Sequence, residues 1–440
     1  MIFTFNKGGI HPRQSKVTAG EPIVTLDAPR KVVLPLSQHI GAPSVVVVKT
    51  GDRVERWQLV AKSNGVVSAS LHTPIAGVVK SVGAVMTWSG RMTEAIVVEA
   101  TEDAPNEEVP IVRDDEAVAA LSASDIREII AEAGIVGLGG ATFPTAVKLT
   151  PPRDANIDTL VVNGAECEPY LTNDDALMRE SARQIVDGAR LAMRACGAKR
   201  CIIGVEMNKP EAIAALERAV LESVEVARLA TKYPQGGEKQ LIKAVTGREV
   251  QSGALPSSVG VAVANVATCF AIHEAVRYGK PLVERVVTVS GNEISGGGNF
   301  RVCIGMSLAE LVEAAGGVPE DTGKLIIGGP MMGRTAVTLD APIEKGNSGV
   351  VMLSEEMSRR RREEVCVRCG RCVEACPMGL EPYLISALAR QGELDRAKEE
   401  SILDCIECGS CSYVCPSSRP LVDYIRYGKN GLRIKAQKKK

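Results

Sequence analysis

Eight cysteines between positions 366 and 415 fall into two copies of one pattern. The first is Cys366-x2-Cys369-x2-Cys372-x3-Cys376-Pro377, and the second is Cys405-x2-Cys408-x2-Cys411-x3-Cys415-Pro416. Three thiolates at this spacing cap three irons of a cubane from one tight loop, and a more distant cysteine must take the fourth. The pattern therefore predicts two [4Fe–4S] clusters in a helical domain, with a helix expected over 381–391 between the runs. In two-cluster proteins the fourth cysteine of each run serves the other cluster. That behaviour groups Cys366, Cys369 and Cys372 with Cys415, and Cys405, Cys408 and Cys411 with Cys376. Paired CxxC motifs also suit zinc ribbons. The third cysteine at the same spacing and the closing Cys-Pro favour cubes.

The other five cysteines (Cys167, Cys196, Cys201, Cys269, Cys303) are scattered. A disulfide scaffold would be short and would carry a leader, whereas residues 1–16 are polar and offer no apolar leader core. A reducing compartment is expected. At roughly 150 residues per domain, the 440 residues allow about three domains. A composition 45% apolar and 24% charged supports real cores. Lys+Arg 52 against Asp+Glu 53 argues against a nucleic-acid partner. The longest apolar runs, 45–48 and 259–266, fall far short of the ~20 residues a membrane-spanning helix needs.

The periodicities predict a multidomain α/β and α+β chain. Residues 1–112 carry short Val-rich runs at 31–36, 45–49, 65–70 and 77–82, broken by Gly, Pro and Asn, and read as all-β. Two segments, Val48-Lys49-Thr50-Gly51-Asp52-Arg53-Val54 and Thr73-Pro74-Ile75-Ala76-Gly77-Val78-Val79, are together similar to the barrel-sandwich of lipoyl and biotinyl carriers. The expected hairpin tip, Ser63-Asn64-Gly65-Val66-Val67, lacks a carrier lysine, so a scaffold is expected. An acidic linker is expected over 103–115. Residues 113–281 alternate strand and helix, which predicts a mainly parallel sheet covered on both faces. There Ser124 is the expected cap of a helix carrying Ile126, Ile129 and Ile130. Residues 282–351 read as a small α+β module, which the family resemblance given below implies is β-grasp-like (SLBB), 352–423 as the two-cluster domain, and 424–440 as a basic tail expected to fray.

A second signal is Gly137-Leu138-Gly139-Gly140-Ala141-Thr142-Phe143-Pro144-Thr145, with Lys148 just beyond. It lacks the GxGxxG spacing and follows a helix, which excludes a dinucleotide fingerprint. Asn163-Gly164-Ala165-Glu166-Cys167-Glu168-Pro169 ends a predicted strand, where open α/β sheets bind ligands. Tyr233-Pro234-Gln235-Gly236-Gly237-Glu238 ends another and opens a helix whose amides suit an anion. Cys167 reads as a filler at this pocket, and the remaining scattered cysteines as buried apolar residues. His11 reads as a turn residue; His39, His72 and His273 have no partners at ligand spacing. Trp57 and Trp88 read as packing.

These segments, with Ala264-Asn265-Val266-Ala267-Thr268, resemble the NADH- and FMN-binding flavoprotein of respiratory complex I. Gly140, Phe143–Thr145 and Lys148 match its glycine loop, and Asn163, Glu166, Glu168 and Pro169 its acidic segment. Tyr233, Gly236 and Glu238 match its strand end, and Asn265, Val266 and Thr268 its Asn-Val-x-Thr segment. Leu138, Ala165 and Gly237 depart from that pattern, at positions bearing on the nicotinamide contacts. The whole chain, from Phe5-Asn6-Lys7-Gly8-Gly9-Ile10-His11-Pro12 onward, resembles the RnfC family of Rnf ion-translocating ferredoxin:NAD⁺ oxidoreductases.

The resemblance implies noncovalent FMN, two [4Fe–4S] clusters and NAD(H) as substrate. Gly137, Gly139 and Gly140 would let backbone approach the flavin, and Lys148, Asn163 and Asn265 would hydrogen-bond it. Phe143 would stack on adenine, while Glu166, Glu168 and Glu238 would face the nucleotide. Tyr233, Gly236, Gly237, Val266 and Thr268 complete the implied site. No side chain is expected to act as general acid or base, because the redox chemistry belongs to the cofactor. The implied setting is peripheral, on the cytoplasmic face of the cell membrane, with the other Rnf proteins, including a ferredoxin-like iron–sulfur protein, as partners. A cobalamin reductase of propanediol metabolism and a flavin-free electron wire are the alternatives.

Overall fold

Alternating buried and exposed residues build the N-terminal barrel-sandwich. In the computed structural model, which describes residues 1–101, 109–152, 155–292 and 294–438, its larger sheet is antiparallel. The strand order is Lys31–Pro35, Met92–Ala100, Gly77–Met86 and Arg53–Val54. A smaller sheet joins Val45–Val46, Leu59–Lys62 and Leu71–His72. Val32, Leu34, Val60, Val79, Ile96 and Val98 fill the space between. The run expected as a strand over 65–70 is instead a loop between Leu59–Lys62 and Leu71–His72, with Val66 81% exposed. Gly65 adopts φ +84 there, a left-handed conformation outside the extended range of a regular strand.

The central domain is a four-stranded parallel sheet, β1 (Thr159–Gly164), β2 (Arg200–Glu206), β3 (Val224–Leu229) and β4 (Val261–Asn265), in the order β3-β2-β1-β4. Strand residues alternate between two cores. Leu160, Val162, Ile203 and Val205 face one, and Val161, Ile202 and Val263 the other. Helices α1 (Asn173–Glu180), α2 (Ala182–Cys196), α3 (Pro210–Ala219), α4 (Glu238–Thr246) and α5 (Val266–Tyr278) cover both sides. Ahead of the sheet, the helix Ala123–Glu132 is capped by Ser122 and not Ser124. Asp125, three residues after Ser122, donates its amide to Ser122 Oγ and accepts from the Ser122 amide at its carboxylate, a reciprocal capping box that Ser124 has no partner to make.

The β-grasp-like module is a six-stranded mixed sheet. One edge strand, Ile23–Thr25, comes from the far N-terminus and pairs with Gly298–Cys303. Farther upstream, Phe3 pairs with Leu229 and Ile10 with Tyr233. The first 25 residues thus lace together domains more than 200 residues downstream in the chain, and their pairing lies outside the barrel. Of the acidic linker expected over 103–115, residues 103–108 lie outside the described residues, while the Ile111 and Arg113 amides donate to the Tyr278 and Arg277 carbonyls and a short helix begins at Asp115.

The cysteine domain is built on α6 (Pro382–Arg390) and α7 (Leu421–Gln437). The tail expected to fray is this second helix, described as far as Lys438. Its Leu421, Val422, Ile425 and Gly428 are buried at helical spacing. At Gly428 an added Cβ would lie 2.7 Å from Ala389 Cβ, so the two helices approach closely.

Candidate flavin and iron–sulfur sites

In an open parallel sheet, ligands bind at the carboxyl ends of strands where the chain's winding reverses. Here successive strands run outward from β1 to β3, and β4 returns to the other side of β1. The crevice therefore opens between the ends of β1 and β4, at Asn163 and Asn265. Asn163 Nδ2 donates to the Gly236 carbonyl (3.0 Å), and its Oδ1 accepts from the Ala165 amide (3.0 Å). Asn265 caps α5, with Oδ1 accepting from the Ala267 amide (2.9 Å). Its Nδ2 donates to Asp174 (2.7 Å) and to the Asn163 carbonyl (3.3 Å).

The glycine loop is held over this crevice. The Leu138 amide donates to Thr268 Oγ1 (2.9 Å), and the Gly137 amide to the Phe143 carbonyl (2.9 Å). A Cβ at Gly139 would meet Asn265 at 3.3 Å, while Gly140, at φ +108, faces open space. Gly236 closes the far side, where an added Cβ would touch Asn163, Ala165 and Cys167. Half-buried Phe143 and buried Val266 lie in the same two segments. Lys148 Nζ meets Glu238 Oε1 at 2.6 Å, which brings together the helical turn after the loop and the first turn of α4. Gly237 is the residue preceding α4. The open backbone at Gly140, the cation of Lys148 and the two helix starts fit a flavin phosphate and its ribityl chain.

The acidic segment points elsewhere. Glu166 Oε1 accepts from the Asp174 amide (2.7 Å), and its other oxygen lies 3.8 Å from Lys16. Glu168 accepts from the amides of Met331 (3.0 Å) and Met332 (2.8 Å) in the β-grasp-like module. Burial raises both carboxyls, that of Glu168 to about 7 against the pull of those amides. Lys16 Nζ donates to the carbonyls of Glu166 (2.8 Å) and Glu168 (2.9 Å) from inside the fold. Lys209 Nζ donates to that of Ala165 (2.7 Å). Sequence reasoning misses Lys16 and Lys209 as site residues, because nothing local in the sequence marks a buried lysine. Cys167 Sγ accepts from the Gly236 amide (3.4 Å), and burial pushes its thiol up to about 12, so it is no nucleophile.

The two cysteine runs share one local geometry. Arg368 and Gly370 in the first, and Glu407 and Gly409 in the second, all take positive φ. Short helices, Arg371–Glu374 and Ser410–Tyr413, follow at matching positions. Cys376, Cys405, Cys408 and Cys411 line one largely apolar pocket with about 380 Å³ of empty space, walled by Leu380, Ile385, Ile406 and Ile425. Burial pushes the Cys405 thiol up to about 11, and the neighbouring Cys408 and Cys376 add to the rise, so the fourth cysteine of the first run lies beside the second run. Cys415 and Cys369 likewise add to the effect of burial on Cys372. Amides of Leu380 and Glu407 donate to Cys376 Sγ and Cys405 Sγ at 3.4 Å. Cys366 and Cys369 are exposed, whereas Cys376, Cys408 and Cys411 are buried. Among the described residues no three His, Cys, Asp or Glu side chains converge as a single ion requires. A cube, with one thiolate on each iron, makes no such demand.

The two sites touch. Tyr233, at the end of the flavin-domain sheet, is 1% exposed, and its hydroxyl donates to the Cys408 carbonyl (2.8 Å). Ile10, Tyr233, Cys167, Ala375, Cys408 and Met331 form one packed cluster.

A switch-point crevice under a glycine loop, packed directly on a two-run cysteine domain, defines an iron–sulfur flavoprotein. The chain matches the Nuo51 FMN-binding domain over 130–274, the RnfC barrel sandwich hybrid domain over 3–103, the SLBB domain over 286–335 and the 4Fe-4S dicluster domain over 359–434. It is 45% identical over 437 residues to the RnfC-type component of the proton-translocating ferredoxin:NAD(+) oxidoreductase complex of Clostridium ljungdahlii, covering 99% of this chain and 95% of that one. It is 43% identical to the corresponding component of the Na(+)-translocating ferredoxin:NAD(+) oxidoreductase complex of Acetobacterium woodii (99% and 98% covered). Against its counterpart in the ion-translocating oxidoreductase complex of Rhodobacter capsulatus the identity is 41% (98% and 84% covered). A crystal structure of an NAD+-reducing [NiFe]-hydrogenase shares the fold, with a TM-score of 0.52 at 21% identity, over 72% of this chain and 64% of that one. The chain belongs to the RnfC family of ion-translocating oxidoreductase complexes.

Proposed function

We propose that this chain is the NAD(H)-interacting iron–sulfur flavoprotein of a membrane-bound, ion-translocating ferredoxin:NAD⁺ oxidoreductase, passing electrons between two [4Fe–4S] clusters, FMN and NAD(H). When bound, FMN supplies the exchange between electron pairs and single electrons. The observation that carries the reading is the Tyr233–Cys408 contact, a buried hydrogen bond that ties the turn whose Gly236 closes the flavin crevice to the backbone of the cysteine pocket.

Within that reading, Gly139 and Gly140 admit the flavin to backbone, Lys148 neutralises its phosphate, and Asn163 and Asn265 shape the crevice floor. Glu166 and Glu168 position the acidic segment through amides, and Glu238 orients Lys148. Cys366, Cys369, Cys372 and Cys415 hold the outer cluster; Cys405, Cys408, Cys411 and Cys376 hold the inner one. Among the described residues no helix is long and apolar enough to cross a membrane. Ion translocation accordingly belongs to partner proteins of the complex, and this chain sits peripherally on the cytoplasmic face.

Anaerobically purified, FMN-reconstituted protein should contain about eight irons per chain and a flavin whose visible absorbance bleaches on NADH addition. Absorbance of the clusters should then fall in turn. A protein that retains its iron but takes up no flavin would falsify the oxidoreductase reading and leave an electron wire.

A further inference from the structure

The segment Phe5-Asn6-Lys7-Gly8-Gly9-Ile10-His11-Pro12 contributes no group to the sites described, yet it runs through the seam between them. On the flavin side, the Ile10 amide donates to the Tyr233 carbonyl (2.8 Å), and the Tyr233 amide returns a bond to the Ile10 carbonyl (2.9 Å). On the cluster side, one residue earlier, the Gly9 amide donates to the Ala375 carbonyl (3.0 Å). Tyr233 is the residue whose hydroxyl reaches Cys408, and Ala375 precedes Cys376. The strap therefore bonds to both walls within two residues.

Its glycines set how closely those walls approach. Gly8 takes φ +66, and a Cβ there would run into the Cys376 carbonyl and lie 2.7 Å from Pro377 N. Gly9 takes φ +87, and a Cβ would lie 2.8 Å from Phe5 Cζ and 3.0 Å from the Tyr233 carbonyl. Across the seam, Gly379 takes φ +68, and a side chain there would collide with the Lys7 ammonium. All three are left-handed, but Lys7 and Lys232 can swing away from Gly379 and Gly9, whereas at Gly8 the obstacle is the backbone of the cluster domain itself, which a side chain would have to push back.

We propose that the Lys7–Ile10 strap is a spacer, with Gly8 the positioning residue that sets the separation between the flavin crevice and the cluster held in part by Cys376. This rests on the proposed function, specifically on Cys376 serving the inner cluster. Electron tunnelling falls exponentially with distance, so a side chain inserted at Gly8 should slow transfer without altering either cofactor's own chemistry.

The test uses the full-length, cofactor-replete protein carrying Gly8→Ala or the bulkier Gly8→Val. Gly51→Ala is the control, because Gly51 has φ +93 but nothing within 4 Å of an added Cβ. Stopped-flow absorbance follows flavin bleaching by NADH and, separately, cluster reduction; electron paramagnetic resonance reads each reduced cluster. The expected result is NADH bleaching at the parent rate with cluster reduction about tenfold slower or more. The resonance that appears late, unchanged in shape, should be the one that Cys376→Ala abolishes, and Gly51→Ala should match the parent. Parent-like cluster reduction in Gly8→Val overturns the spacer. Slowing of Gly51→Ala equal to that of Gly8→Ala also overturns it, by assigning the effect to backbone strain. If Gly8→Val loses its cofactors, Gly8→Ala decides by the same two criteria. A parent protein that NADH never bleaches would instead sink the proposed function, a result readable before any variant is made.

Discussion

Lys148 and Glu238 meet 2.6 Å apart at the mouth of the crevice, both partly exposed, so their pairing alone contributes little to stability. Its consequence is local: the pair holds one cation where a flavin phosphate would arrive. Lys148→Glu sets two carboxylates face to face there and should weaken FMN retention by about tenfold or more, measured by flavin fluorescence after gel filtration. Iron content should stay at the parent level, and equal loss of both cofactors would count against the assignment. The glycine loop and its lysine are legible in the sequence because their residue types are unusual in company. The inward turn of Glu166 and Glu168 is not, since the amides that receive them sit at Asp174, Met331 and Met332, the last two more than 160 residues away.

At the scale of elements, α2 and α5 carry the crevice, because α5 begins at its cap Asn265 and is held by α2. Asp187 of α2 accepts from His273 Nδ1 (2.7 Å) and Arg277 Nη2 (2.8 Å) of α5. Gly188 lets the helices touch, since an added Cβ would strike the Cys269 carbonyl. Gly188→Ala should lower stability by about 1–3 kcal/mol, seen as a fall in thermal midpoint with weaker flavin retention. An unchanged midpoint would mean that the helices separate without cost. Periodicity marks α2, which buries Ile185, Val186, Ala189, Ala192 and Cys196 at helical spacing, but it does not mark the start of α5. The apolar face of α5 continues that of β4, so the run over 259–266 gives no sign of where strand becomes helix. The short strands and turns of the barrel are easier to recognise than to delimit, as the loop at 65–70 shows.

For the molecule as a whole, Lys345 joins three domains. Its Nζ donates to the carbonyls of Ser70 (2.8 Å) in the barrel and Gly134 (2.6 Å) in the flavin domain, from a chain position in the β-grasp-like module. Its amide donates to Gln38 (3.0 Å). Burial lowers its ammonium to about 7, and a neutral amine still has two N–H donors for two carbonyls. Between about pH 7 and the unfolded value near 10.4 the unfolded chain binds one more proton than the folded one at this site. Stability from Lys345 therefore rises with pH across that window, by up to about 1.4 kcal/mol per unit, and below pH 7 the burial penalty is fully present. Urea midpoints at pH 7 and 9 should show a rise that Lys345→Met reduces; the same rise in both proteins would exclude Lys345 as its source.

Cysteine spacing and the alternation of periods determine, without coordinates, the number of clusters and the order of the domains, while the flavin enters through the resemblance that the glycine loop and its companion segments carry. They suffice because each depends on residues close together in the chain, where the chemistry of a cube or the pitch of a helix sets the spacing directly. Only the tertiary structure decided which carboxylates turn inward, how the last helix buries Ile425 and Gly428, and where the first residues go. A strap that pairs Ile10 with Tyr233 and Gly9 with Ala375 is specified by complementary surfaces far apart in sequence, and a glycine's need for room becomes visible only when the carbonyl opposite it is in place.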